Sequence, residues 1–259
     1  MKRKEKGFSL ILPVVYFSPE LALCLESIHK NSVLSHELIA VIDPDPQGEI
    51  DNRVVEFLRE KKVKVVINKK QRGPYYGWNK GSRYATRKIL CFITDDQYFA
   101  PNWDYPLLQN LSPKRILTSQ LVEPGVMVPA PGVIWKDFGE NATNFKEKEF
   151  IRFLRKVKKR KLSEGRFFIP LVILKEEFRR LGGFPTYGHF GSVFTVPNDI
   201  IFIEEARKKG YHFLTCHESF SYHFQGATWR KKGRKLLKWR NKILYKYLKS
   251  FLGKFKIEK

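Results

Sequence analysis

Four short apolar runs, separated by stretches with helical spacing, fill the first third of the chain. Residues 8–17 are almost entirely apolar; residues 37–42, 63–68 and 89–93 repeat the pattern. A strand that lacks apolar/polar alternation is buried on both faces, as in a parallel sheet covered on both sides. Between the runs, Ser18-Pro19-Glu20 supplies a helix N-cap and a first-turn proline, and Leu21, Leu25 and Ile28 give the following helix an apolar face. Residues 54–60 read as a second helix. Strands alternating with helices predict an α/β chain built from βαβ units around a parallel sheet.

The fourth run breaks into Asp95-Asp96-Gln97. In an open α/β sheet the carboxyl edge of the strands is where ligands bind. Two adjacent carboxylates there repel each other unless positive charge sits close by. A divalent ion already carried by a diphosphate supplies that charge with only one or two protein ligands. An Asp-Asp that merely opens a turn is the plain alternative. Before this run lies Lys69-Lys70-Gln71-Arg72-Gly73-Pro74-Tyr75-Tyr76-Gly77-Trp78-Asn79-Lys80-Gly81, read as a loop ahead of a helix over residues 82–88. Its glycines suit close backbone approach to a ligand and Arg72 suits phosphate, but the spacing is not that of a Walker loop.

Beyond Ser112 the pattern loosens. Residues 119–135 read as short strands broken by Pro and Gly, residues 150–161 as a basic helix, residues 167–174 as a strand, and residues 175–181 as a short helix stopped by Gly182-Gly183. Asp199 is placed to N-cap a helix over residues 200–209. Residues 213–216 read as a short strand, and His223 stands at a strand end before a glycine-containing loop.

The 259 residues carry a net charge of +23, so an anionic neighbour is expected: nucleic acid, an anionic membrane surface or an anionic substrate. Residues 229–259 alone hold 13 Lys and Arg against one acid, Glu258, a net of +12. Cys24, Cys91 and Cys216 are scattered and odd in number, which favours a reducing compartment over a disulfide framework or a zinc site. No apolar run reaches the roughly 18 residues of a membrane span.

In this order, the segments are similar to the family 2 glycosyltransferases of GT-A fold, over roughly residues 8–228. Ile11-Leu12-Pro13-Val14-Val15-Tyr16-Phe17-Ser18-Pro19-Glu20 resembles the family's first strand and helix start, with Pro13 and Tyr16 at the donor side. Val41-Ile42-Asp43 resembles the strand whose acid contacts the donor nucleoside. Arg72, Gly73, Asn79 and Gly81 match the segment that follows. Ile93-Thr94-Asp95-Asp96 resembles the DxD region, where the first aspartate contacts the nucleotide sugar and the second holds Mn²⁺ or Mg²⁺. Gln97 stands where a third acid is common. The stretch ending in Gly182-Gly183-Phe184 resembles the acceptor wall. Pro197-Asn198-Asp199 resembles the Glu-Asp helix start whose aspartate is the catalytic base, with Asn198 replacing Glu. His223 matches the histidine that completes the metal site.

The resemblance implies a Rossmann-like nucleotide-binding sheet with a smaller acceptor lobe: donor side at residues 1–111, acceptor side at 112–228, and a basic tail at 229–259. It implies an inverting transfer from a nucleoside-diphosphate sugar to a glycan or lipid-linked hydroxyl, with Asp96, Asp95 and His223 at the metal, Asp199 as base, and Pro13, Tyr16, Asp43, Arg72, Asn79 and Asp95 at the donor. Wound as a helix, residues 229–259 gather Leu237, Leu244, Leu248, Phe251 and Phe255 on one stripe and Lys on the other, the pattern of an element lying on an anionic membrane. The expected location is cytoplasmic, peripheral to the inner face of the cell membrane. The competing readings are a non-catalytic nucleic-acid-binding protein, against which the acidic sheet edge argues, and a nucleotidyltransferase, which lacks its glycine-rich triphosphate loop.

Overall fold

The computed structural model of the chain describes residues 6–126, 131–165, 169–186 and 198–225. The segment 226–259 and the residues Phe167 and Pro197 lie outside them. The elements run β1 (Lys6–Val14), α1 (Pro19–Asn31), β2 (Ser35–Ile42), α2 (Asn52–Glu60), β3 (Lys64–Ile67), α3 (Pro74–Tyr84), β4 (Ile89–Phe92) and β5 (Gln97–Phe99). They continue with α4 (Asp104–Asn110), β6 (Arg115–Glu123), β7 (Ile134–Trp135), α5 (Glu147–Val157), β8 (Leu162–Glu164), β9 (Leu171–Leu174), α6 (Lys175–Leu181), α7 (Asn198–Lys208) and β10 (His212–His223).

One sheet has the order β3-β2-β1-β4-β9-β6-β10-β5, with β7 beside β6 and β8 beside β10. The strands β3, β2, β1 and β4 are parallel, as the alternation predicts. The strand β9 runs antiparallel between β4 and β6, so both halves of the chain share one sheet. Side chains alternate across β1: Phe8, Leu10, Leu12 and Val14 enter the core under α1, α2 and α4, whereas Ile11 enters the core under α3, α6 and α7. Full burial of each such Leu or Ile contributes about 1.5–3 kcal/mol. The helix α1 begins as its sequence requires, with the Ser18 hydroxyl accepting from Leu21 N at 3.1 Å. The helix α6 ends at Gly182, whose φ of 86° is the left-handed cap expected of glycine.

Three expectations are corrected. Residues 74–81 are not loop: α3 starts at Pro74, immediately after Gly73 (φ 86°). The glycines at 77 and 81 face β1, where a Cβ would meet Pro13 Cβ at 3.0 Å and Ile11 Cγ2 at 2.3 Å. They bring α3 close to the sheet rather than opening a ligand path. Residues 115–123 form one long interior strand, not scattered short ones. Its buried Thr118, Ser119 and Gln120 are each satisfied: Thr118 with Thr215 at 3.3 Å, Ser119 with Ser219 at 2.6 Å, and Gln120 Nε2 donating to Gly132 O at 2.7 Å. The short strand expected over residues 213–216 is the start of β10, which continues past an irregularity between Cys216 and Phe220 to His223.

Candidate active site

The strand β1 is flanked by β2 and β4, and both neighbours end in acids at the same edge of the sheet. After β4, Asp95 and Asp96 occupy a tight turn into β5. The strand β5 then pairs antiparallel with β10, with Gln97 opposite His223. That register sets His223 Nε2 at 3.3 Å from Asp96 Oδ2. The other ring nitrogen, Nδ1, lies 2.7 Å from Glu123 Oε1 at the end of β6, and Glu123 Oε2 also accepts from Gln225 Nε2 at 2.6 Å. Glu123 therefore orients the imidazole toward Asp96, as outer-sphere carboxylates orient metal-binding histidines.

The electrostatics of this cluster follow from burial and like charge. Burial, and then the neighbouring Asp96, push the Asp95 carboxyl up to about 7. Glu20, in the first turn of α1, adds a smaller push in the same direction. Burial is the largest influence on Asp96 and opposes its ionisation, but the His223 charge, together with hydrogen bonds from His223 and Thr94, outweighs it and holds that carboxyl below the usual range. Burial would lower His223; Asp96 and Glu123 together override it and raise the imidazole to about 10. The Gln97 side chain turns away from the acids and donates to Ile169 O, tying the turn to the start of β9.

Asp43, at the end of β2, is already committed. Its Oδ1 accepts from Asn68 Nδ2 at 2.6 Å, and its Oδ2 accepts from Arg72 N at 2.8 Å and Gly73 N at 2.6 Å. Lys80 extends the network by donating to Asn68 Oδ1 at 2.6 Å. Arg72 itself is exposed, with its guanidinium 5.1 Å over the Tyr76 ring. Tyr16 stands near Asp45 and Asp51; burial first, and then those charges, raise its hydroxyl. Pro13 packs on Gly77. The Asn79 side chain closes a ring with the backbone of Phe184, donating to its oxygen at 2.7 Å and accepting from its nitrogen at 2.9 Å. Asn79 thus fixes the Gly182-Gly183-Phe184 turn.

Asp199 lies inside the first turn of α7, one position into the helix rather than before it. Tyr75, at the start of α3, hydrogen-bonds to it; burial and then the Asp199 charge raise the phenol well above its usual range. Three residues that sequence reasoning passed over therefore belong to the site: Glu123, Glu20 and Tyr75. Only Tyr75 left a signal, in its helical spacing to the buried Trp78.

The donor set of two carboxylates and one imidazole, the latter anchored from behind by Glu123, fits a hard divalent ion. Among the described residues no group of three or more His, Cys, Asp or Glu is preassembled for a metal. A Mg²⁺-type ion that takes much of its shell from phosphate and water needs no such group.

Residues 9–126 match the sequence family described as glycosyl transferase family 2. No curated protein matches the chain. Among solved structures, the crystal structure of GalNAc-T7 with UDP, GalNAc and Mn²⁺ is similar with a TM-score of 0.59 and 16% identity, over 84% of this chain and 44% of that one. The structure of S. aureus TarS is similar with a TM-score of 0.56 and 14% identity, over 84% of this chain and 36% of that one. The chain spans less than half the length of either protein, and likeness at such identity is likeness of fold. Residues 9–126 thus match the glycosyl transferase family 2 model, and the sheet they help to build has the GT-A fold of these solved structures.

Proposed function

We propose that the chain transfers a glycosyl group, with inversion, from a nucleoside-diphosphate sugar to an acceptor hydroxyl. The observation that carries this reading is the convergence of Asp95, Asp96 and His223 at the edge beside β1, with Asp199 held by Tyr75 on the neighbouring helix face. Asp96, Asp95 and His223 would hold Mn²⁺ or Mg²⁺, which when bound neutralises charge on the departing diphosphate. Asp43 shapes the Asn68–Gly73 turn against which the nucleoside would lie, with Tyr16 and Arg72 at its rim. Asp199 accepts the acceptor's proton as the acceptor oxygen bonds to the anomeric carbon and the bond from that carbon to the diphosphate oxygen breaks. Tyr75 aims the Asp199 carboxylate. The acceptor is a glycan or a lipid-linked saccharide, met at the cytoplasmic face of the cell membrane, where the amphipathic segment 229–259 would anchor the enzyme.

The test pairs a thermal-shift series of nucleoside diphosphates and their sugars, with and without Mn²⁺, against transfer by Asp199→Asn. A ligand specific to the folded state raises the melting temperature, and the rise should depend on Mn²⁺. Asp199→Asn should keep that response while transfer falls by about 10²–10⁴-fold. Near-normal turnover in this variant removes Asp199 as the base; a chain that no nucleotide stabilises removes the whole reading.

A further inference from the structure

We propose that Trp135 is a stacking platform for one sugar ring of the acceptor, and that the acceptor is an oligosaccharide gripped one ring away from the reacting hydroxyl. The inference rests on the glycosyl-transfer reading above and narrows its substrate. Val122 pairs with Ile134 on one edge of β6 and with Tyr222 on the other, so β7 and β10 flank β6. Val122 and Tyr222 belong to the aromatic cluster under α5, and Ile134 packs against it. Successive side chains of a strand point to opposite faces. The next residues along, Trp135, Glu123 and His223, therefore turn to the other face. There Glu123 Oε1 lies 2.7 Å from His223 Nδ1, and His223 Nε2 lies 3.3 Å from Asp96 Oδ2. Trp135, Glu123 and His223 thus make one row across β7, β6 and β10, on the side that carries the candidate site.

The indole is backed on one face. Gly125, just past the end of β6, has a φ of 84°, and a Cβ built on it would lie 3.6 Å from Trp135 Cε2 and 3.7 Å from both Cδ2 and Nε1. Near-equal distances to three adjoining ring atoms put that point over the face of the ring and not at its edge. The turn at Gly125 therefore supports one face of the indole. The opposite face supplies the 53% exposure of Trp135, the largest value among the exposed large apolar side chains of the described residues. A flat ring with two side-chain torsions and one face already packed loses little freedom when the other face is covered. A pyranose offers the matching surface. Its C–H groups carry slight positive charge, meet the negative face of the indole and leave the hydroxyls at the rim in water.

Position selects the occupant. Trp135 and His223 stand two strand spacings apart, roughly 10 Å between their backbones. A ring that presents its hydroxyl beside the metal residues does not reach the indole; the next ring of the same glycan does. The nucleobase is the other flat ring in the reaction, and it belongs by Asp43 at the end of β2. The edge of β6 that β7 shares with β9 is three places from β2 in the sheet, about 14 Å. An anion is not favoured either, because the neighbouring Lys136 turns to the opposite face, its Nζ 5.3 Å from the Phe153 ring centre.

The test uses the full chain with two readouts. The first titrates tryptophan emission with cellobiose, maltose and N,N′-diacetylchitobiose in the presence of UDP and Mn²⁺. At least one disaccharide should give a saturable change in the wild type that is absent from Trp135→Ala. The second measures transfer, from the nucleotide sugar that best stabilises the chain, to methyl glycosides of mono- and disaccharides. The wild type should show a KM about tenfold lower for the best disaccharide than for the monosaccharide at its accepting end. Trp135→Ala should raise the disaccharide KM about tenfold and leave the monosaccharide KM, the donor KM and kcat within about twofold. Trp135→Phe, which keeps a ring, should recover most of the preference. An unchanged disaccharide KM in Trp135→Ala overturns the proposal, as does a wild-type emission that no disaccharide changes. A weaker thermal-shift response of Trp135→Ala to nucleotide also overturns it, because the indole would then serve the nucleobase. Transfer without disaccharide preference sinks the platform and leaves glycosyl transfer standing. A chain that responds to disaccharide but neither transfers nor responds to nucleotide does the reverse.

Discussion

The strands β2 and β4 lie on either side of β1 and end in carboxylates at one edge of one sheet, yet the two ends are built in opposite ways. At the end of β2, Asp43 is 5% exposed and spends its two oxygens on three hydrogen bonds to Asn68, Arg72 and Gly73. At the end of β4, Asp95 and Asp96 sit against each other, with burial and mutual repulsion raising one of them and the His223 imidazole, with hydrogen bonds from the turn, holding the other. A carboxylate with its acceptor sites filled is scaffold; a pair left in electrostatic conflict is available for a cation. The same residue type at equivalent strand ends is therefore held in two different ways, according to what the following turn offers it.

That division is sharpest if each end is removed separately. Asp96→Ala should cost the most function: transfer falls by about 10²–10³-fold, the range for losing one electrostatic contact in a preorganised site. In calorimetric titrations, its affinity for UDP should become insensitive to Mn²⁺, with the melting temperature close to that of the wild type. Full Mn²⁺ dependence in Asp96→Ala would erase the contrast, because the ion would then be held without the β4 end.

Asp43→Ala should show the converse. Two backbone N–H groups and the Asn68 amide lose their acceptor, and each buried group left unpaired costs about 1–3 kcal/mol. A net loss of about 3 kcal/mol lowers the melting temperature by roughly 6–12 °C in a chain of this size. Nucleotide affinity should fall with it, because the turn carrying Arg72 loosens, but whatever affinity remains should keep its Mn²⁺ dependence. A variant with wild-type stability would show that the turn holds itself and that Asp43 serves the ligand directly.

The parallel half of the sheet was legible because burial on both faces leaves uninterrupted apolar runs, and because Ser18 and Gly182 sit at helix ends where their chemistry is needed. The start of α3 was not legible. Gly77 and Gly81 look like loop residues until Pro13 and Ile11 of β1 are seen pressing against them, and that contact is tertiary. The length of β6 was not legible for the same reason: its buried Thr118 and Ser119 are satisfied by Thr215 and Ser219, about a hundred residues away. Within the site, Asp95, Asp96 and His223 were expected together and the β5–β10 register joins them. Glu123 closes an apolar strand as an isolated acid, and nothing local ties it to a histidine one hundred residues on. Asp199 was expected as a cap and lies instead in the first turn, where Tyr75 reaches it.

The smallest effect tests the conflict at the β4 end directly. Asp95 holds its proton to about pH 7 in the folded chain, against an ordinary value of 3.8, chiefly through burial and then through Asp96. Between those two values the folded state binds more proton than the unfolded state, so this group makes stability fall as pH rises. Above about pH 7 both states are ionised and the whole penalty is in place. Asp95→Asn removes the charge and keeps the shape, so in EDTA it should melt higher than the wild type. The difference should be near zero at acidic pH, grow toward neutrality and level off by about pH 8, reaching about 1 kcal/mol because the carboxylate is partly exposed and screened. The His223 contribution has its own window: it is fully present below its ordinary 6.5 and lost as pH rises toward about 10. The His223 charge also lowers the Asp95 carboxyl, so this contribution is not identical in the two proteins, and the rise of the difference is read below 6.5, where the imidazole is charged in both. A gap that is already present at acidic pH and flat to pH 8 would mean that the asparagine packs better, not that it relieves repulsion. A variant that melts lower would mean that the β4 end, like Asp43, is held together by its carboxylates.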